Sequence, residues 1–202
     1  MENAVNVNAE TNEQRAFIAI SGHRALDLLA TLRDRHRDPI ECLRDPADLD
    51  RWLKAVGLPL GASARASDVQ DARRLREAIN DLTRAVLAQR SPPAGAVREL
   101  NEWARRSALA PQTDSALTLE WAADEPVHGA LALVAREAVE LLTGPERALI
   151  RECAAAPECS RVYLDRSRSG RRRWCHMDWC GSRAKMASYR QRQRQREAQP
   201  AT

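Results

Sequence analysis

Four cysteines are the side chains in this sequence whose type and spacing most clearly point to chemistry. Cys153 and Cys159 are separated by five residues, fifteen follow before Cys175, and four more before Cys180. Two close pairs joined by a longer loop can deliver four thiolates to one tetrahedral ion without long-range strain, and Zn2+ accepts such a set. The fifth cysteine, Cys42, stands alone and reads as a buried apolar side chain. Few apolar residues accompany the four: Val162, Tyr163, Leu164, Trp174, Met177 and Trp179. So small a core needs the metal to supply much of its folding free energy. Four sulfur ligands leave no position for a reacting water, which makes the expected site structural. His176 could replace a cysteine, although adjacent residues rarely face one ion. Free thiols that merely lie close together are the competing reading.

Charge is unevenly shared. Residues 151–202 hold thirteen Lys and Arg against five Asp and Glu, whereas the preceding 150 hold nineteen against twenty-three. An acidic body with a basic end places any polyanion contact at that end. Arg171, Arg172 and Arg173 precede Trp174, and Ser182, Arg183, Lys185, Arg190, Arg192 and Arg194 lie on a final helix. On that helix Arg183, Arg190 and Arg194 share one face while Lys185, Arg192 and Arg196 share a neighbouring one. Met186 and Tyr189 are spaced to dock it on the zinc core. Such a helix fits a DNA major groove, with a solvated basic tail as the plain alternative. Asp165 either pairs with Arg172 or Arg173 or serves as a turn residue before Ser167 and Gly170.

The elements that must position these groups are mainly helical. Ala25, Leu28, Leu29 and Leu32 mark a helix between His23 and Arg33. Leu49, Trp52, Leu53 and Val56 mark a second, opened by Asp45 and Pro46 and closed by Gly57. A long stripe from Val69 to Val86 follows Ser67 and stops at Ser91, Pro92 and Pro93; Val97, Leu100 and Trp103 form the next. Leu117, Leu119 and Trp121 alternate as one strand of a candidate small β-hairpin whose partner is not evident. A last body helix runs from about Pro126 to Leu142, and Gly144 and Pro145 read as a short hinge. The fold class is therefore mainly α. A polar leader (1–15) precedes a helical domain (16–144), then a small C-terminal zinc finger of hairpin plus basic helix (145–197), then a tail (198–202).

The segment from Cys153 to Arg192 resembles the CGNR zinc finger. Tyr163 stands before the Asp-x-Ser of Asp165 to Ser167, a basic run leads into Trp174 and Cys175, and Cys180, Gly181, Ser182 and Arg183 form the signature. Ser182 replaces the family's asparagine, and serine is also a competent helix cap. The body resembles ABATE, the domain that usually precedes this finger and is described as a stress-induced transcription regulator. Gly22 and His23 before Ala25, Leu26 and Asp27, the Leu49 to Trp52 helix, and Leu75, Arg76 and Asn101 carry that likeness. After Asp27 the chain has Leu28, Leu29, Ala30 and Thr31 where the family commonly has an Asn-Thr.

Together these features imply a transcription regulator whose finger contacts double-stranded DNA and whose body senses a small-molecule effector or forms a homodimer. An RNA-binding protein and a zinc-stapled interaction adaptor are the alternatives. His23, Trp52 and Trp103 are candidate pocket contacts, core packing being the commoner role of each. No nucleophile motif, phosphate loop or helical metal pair is present, so no enzyme is expected. Without a signal-like amino terminus or a membrane-length apolar run, the expected location is the cytoplasm, at the nucleoid.

Overall fold

The computed structural model describes residues 17, 19–58, 60 and 62–197. The expected leader (1–15) and tail (198–202) lie outside the described residues. His23 begins the first helix, α1 (Arg24–Leu29), by accepting the Ala25 N–H on Nδ1 at 3.2 Å. The helix stops four residues before the periodicity suggested, and Leu32–Arg33 (β1) instead pairs antiparallel with Ile40–Glu41 (β2). Tertiary ionic contact accounts for the difference. The buried Arg76 guanidinium donates to both Glu41 carboxylate oxygens at 2.7 Å and to the Thr31 hydroxyl at 3.2 Å. These bonds hold the two strands against the long helix.

α2 (Pro46–Ala55) starts as its sequence indicates, with the Asp45 carboxylate accepting the Asp48 N–H at 2.9 Å and proline in the first turn. Gly57, at φ +78°, ends it, and the Leu58 N–H reaches back to the Leu53 carbonyl at 2.8 Å. That is the left-handed helix stop glycine favours. α3 (Ala66–Leu87) buries Val69, Ala72, Leu75, Ile79 and Leu82 on one face. It packs with α4 (Ala94–Arg105) and α5 (Pro126–Thr143), and α1 lies against α3 and α5. The missing hairpin partner is Ala110–Thr113 (β3), paired with Leu119–Ala122 (β4). Asp114 makes the turn, its Oδ1 accepting the N–H groups of Ala116 and Thr118 at 2.8 Å. The apolar alternation there does not face the core: Leu117 is 85% and Leu119 61% exposed, and only Trp121 packs inward.

After α5 the chain runs through a 3-10 turn, Pro145–Leu149, into Ile150–Glu152 (β5), which pairs antiparallel with Val162–Leu164 (β6). At the expected hinge Gly144 closes α5 and the exposed Pro145 opens the 3-10 turn. Gly144 N–H caps Glu140 O at 2.8 Å, and a Cβ at Gly144 would come within 2.6 Å of that same oxygen. Ile150, Val162 and Leu164 belong to the helical core, while Tyr163, between the latter two, packs among the cysteines. Strand alternation thus gives β6 one face in the body and one in the metal module.

Breaking a buried charge pair leaves its partner uncompensated. Arg76→Ala is therefore expected to cost about 3 kcal/mol, of the order found for such losses, read as a lower urea midpoint. An unchanged midpoint would show that Arg76 does not anchor β1 and β2.

Candidate metal centre and basic helix

Each cysteine comes from a different local structure. Cys153 follows β5, Cys159 lies in the β5–β6 loop, Cys175 follows the loop after β6, and Cys180 sits in a π-helical turn, Met177–Gly181. Backbone bonds fix these segments: Cys153 N–H to Arg161 O at 3.1 Å, Ala154 N–H to Arg173 O at 2.8 Å, and Cys180 N–H to His176 O at 3.1 Å. The four Sγ atoms lie within 4.8 Å of one another, and the Cys159–Cys175 and Cys175–Cys180 separations are both 3.7 Å. A tetrahedron with Zn–S bonds of about 2.3 Å has edges of about 3.8 Å. The donor set and its size fit Zn2+. His176 is not in the set; its ring stacks on Trp179 with centroids 4.3 Å apart.

Neighbouring donors favour the thiolate at two of the sulfurs, Cys153 and Cys180. The Cys175 N–H points at the Cys153 sulfur at 3.5 Å, and the Arg183 guanidinium approaches the Cys180 sulfur at 3.2 Å. Tyr163, fully buried, closes one side of the cluster and donates its hydroxyl to the Arg172 carbonyl at 2.6 Å. Asp165 is a turn residue. Its Oδ1 accepts the Ser167 hydroxyl at 2.5 Å and the Ser167 N–H at 3.0 Å, and its Oδ2 takes the Arg172 backbone N–H at 3.0 Å. The Ser167 hydroxyl, with those N–H groups, holds the Asp165 carboxyl below the usual carboxylate range.

The expected nucleic-acid residues divide into two groups. Arg172 lies over the Tyr163 ring, donates to Trp174 O at 2.8 Å and reaches Cys175 O, so its guanidinium braces the module itself. Arg183 is spent in part on Cys180. Arg171 and Arg173 are exposed, Arg173 lying 4.9 Å over the Trp174 ring. Lys185, Arg190, Arg192 and Arg194 are exposed along α6 (Ser182–Glu197). Two expectations need correction. Ser182 does not cap a helix start, because the helical path already begins at Met177; its hydroxyl donates back to Met177 O at 3.4 Å. Met186 and Tyr189 do not dock α6, being 55% and 52% exposed. With no apolar stripe, α6 packs chiefly on the π turn that launches it.

The proposed pocket residues do not meet. Trp52 and Trp103 are core side chains, while His23 caps α1 beside Arg166 and Glu146. Cys42 is buried, as its apolar reading implies. Asp68, Asp71 and His128 form a second cluster of metal-type side chains among the described residues, but Asp68 also takes the Arg65 N–H and Asp71 pairs with Arg74. Among the described residues no helix is long and apolar enough to cross a membrane.

A helical body carrying a four-cysteine zinc module and a projecting basic helix defines the class. The ABATE family, described as "Putative stress-induced transcription regulator", matches residues 22–145, and the CGNR zinc finger matches residues 150–193. The chain belongs to the ABATE family and carries a CGNR zinc finger at its C-terminal side. No curated protein matches it.

The purified chain should hold one zinc at the four sulfurs, and Cys175→Ser should lose it, as measured by metal content after gel filtration. Full zinc in that variant would refute the ligand set. A second prediction concerns His23, whose pKa is lowered by burial first and by Arg166 next. The unfolded chain then binds the proton more tightly, so stability falls as pH drops below about 6.5. Protonated Nδ1 also cannot accept the Ala25 N–H. Thermal midpoints of His23→Asn, which keeps a capping oxygen, should decline less over that range; an identical decline would exclude His23 as the cause.

Proposed function

We propose that this chain is a DNA-binding transcription regulator in which the zinc module presents α6 to the duplex and the helical body senses a signal or mediates dimerisation. One observation carries the reading: α6 leaves the metal centre with Lys185, Arg190, Arg192 and Arg194 in solvent and little of its described surface packed on the rest of the chain. A helix is about as wide as the DNA major groove, and exposed Arg and Lys supply phosphate contacts with a few reaching base edges. Arg171 and Arg173 extend the basic surface across the preceding loop. The four-sulfur module acts as a rigid mount with no catalytic role, in a cytoplasmic, nucleoid-bound protein.

Binding of the full zinc-loaded chain to pooled genomic fragments, near physiological salt with excess nonspecific competitor, tests this. The account expects enrichment of a few duplexes and its loss when Lys185, Arg190, Arg192 and Arg194 are changed to Gln. Removing Arg190 and Arg194 alone should reduce the slope of log affinity against log salt by about 2. Uniform weak binding would refute sequence-specific regulation, and preference for single-stranded RNA or an acidic protein would replace DNA as the partner.

A further inference from the structure

Three helices and the start of β5 border a half-open cavity of about 790 Å³ that none of the site residues above occupies. Leu82 of α3, Val97 of α4, Leu142 of α5 and Ile150 of β5 make its wall largely apolar. Three neutral polar side chains sit in that wall, Gln89, Asn101 and Thr143; of these Asn101 is half-buried and its side chain makes no hydrogen bond among the described residues. Arg90, Arg147 and Arg151 are the charged side chains of the lining, which contains no Asp or Glu. Arg90 and Arg147 have no side-chain partner among the described residues, and Arg151 donates only to the carbonyls of Ala148 and Ile150.

We infer that this cavity binds a small apolar molecule bearing one anionic group, of the class of a medium-chain or aromatic carboxylate. The size lies within the range of ligand sites, and apolar walls with a few convergent polar groups are their usual construction. Burial of the ligand's hydrocarbon supplies affinity, while cations of a single sign select the anionic head. Asn101 offers the amide that fixes its orientation. The floor of the cavity is β5, whose partner β6 carries Tyr163 into the zinc cluster, so an occupant touches the strand pair on which the finger is mounted. Use of the site to control DNA contact rests on the regulator reading above; the site itself does not.

The test uses the full zinc-loaded chain without nucleic acid, so it can fail independently of that reading. The fluorescent anion 1-anilinonaphthalene-8-sulfonate is titrated, then displaced with octanoate and, in parallel, with 1-octanol. One saturable dye site displaced by octanoate is expected. Val97→Trp, which fills the cavity from a half-buried position, should abolish it. Arg90→Ala with Arg147→Ala, both at exposed positions, should weaken octanoate about tenfold, the effect of losing a charged hydrogen bond, and leave octanol unchanged. Absence of a saturable site in the unaltered protein, or octanoate affinity unchanged in the arginine variant, would overturn the proposal. Equal weakening of octanoate and octanol would overturn the anionic class. If Val97→Trp loses zinc or helicity, the arginine variant alone decides.

Discussion

Leu164 donates its backbone N–H to the Ser21 carbonyl at 2.8 Å while its side chain enters the helical core, and the rest of the arrangement follows from how this strand is held. Its neighbour Tyr163 points the opposite way and closes the cysteine cluster. A β-strand has two faces and a period of two, so a three-residue strand can be core to two modules at once. Further ties flank it. Asp165 N–H reaches Leu149 O at 2.9 Å, Arg166 donates to Gly22 O and Glu146, and Arg84 engages Glu152 and the Ser160 carbonyl.

This seat gives a physical meaning to residues that bear the ABATE likeness. Asp27 accepts the Ser21 N–H at 2.9 Å, which fixes the carbonyl that Leu164 uses. Gly22 adopts φ +81°, and a Cβ there would lie 3.6 Å from that of Leu164. His23 then starts α1. The body's signature thus builds the surface on which the finger's hairpin is mounted. The same economy appears in the finger, where Arg183 of the signature supports a metal ligand, and Arg172 and Asp165 organise the loop leading to Cys175.

Much of this was legible in the sequence because it obeys local rules. The cysteine spacing, the helical stripes and the Asp45–Pro46 start report chemistry that neighbouring residues decide. What was not legible depends on distant partners. α1 is shortened by Arg76, which is remote in sequence from Thr31 and Glu41. The hairpin partner Ala110–Thr113 contains a proline and lacks alternation, so pairing alone identifies it. Gly144 and Pro145 resemble a linker by composition, yet Ile150 draws the chain straight back into the core. Met186 and Tyr189 have docking spacing, but both side chains are exposed among the described residues. The cavity around Asn101 is assembled by α3, α4, α5 and β5, and no short segment records it.

The central claim is that metal and body are one structure through β6. Amide hydrogen exchange of the full chain, with zinc bound and after chelation, tests it most directly. If the claim holds, removing zinc speeds exchange at the Leu164 N–H bonded to Ser21 and at Asp165, and carries the loss of protection into α1. Faster exchange confined to residues 153–161 and 172–183, with Leu164 and α1 as protected as before, would contradict it.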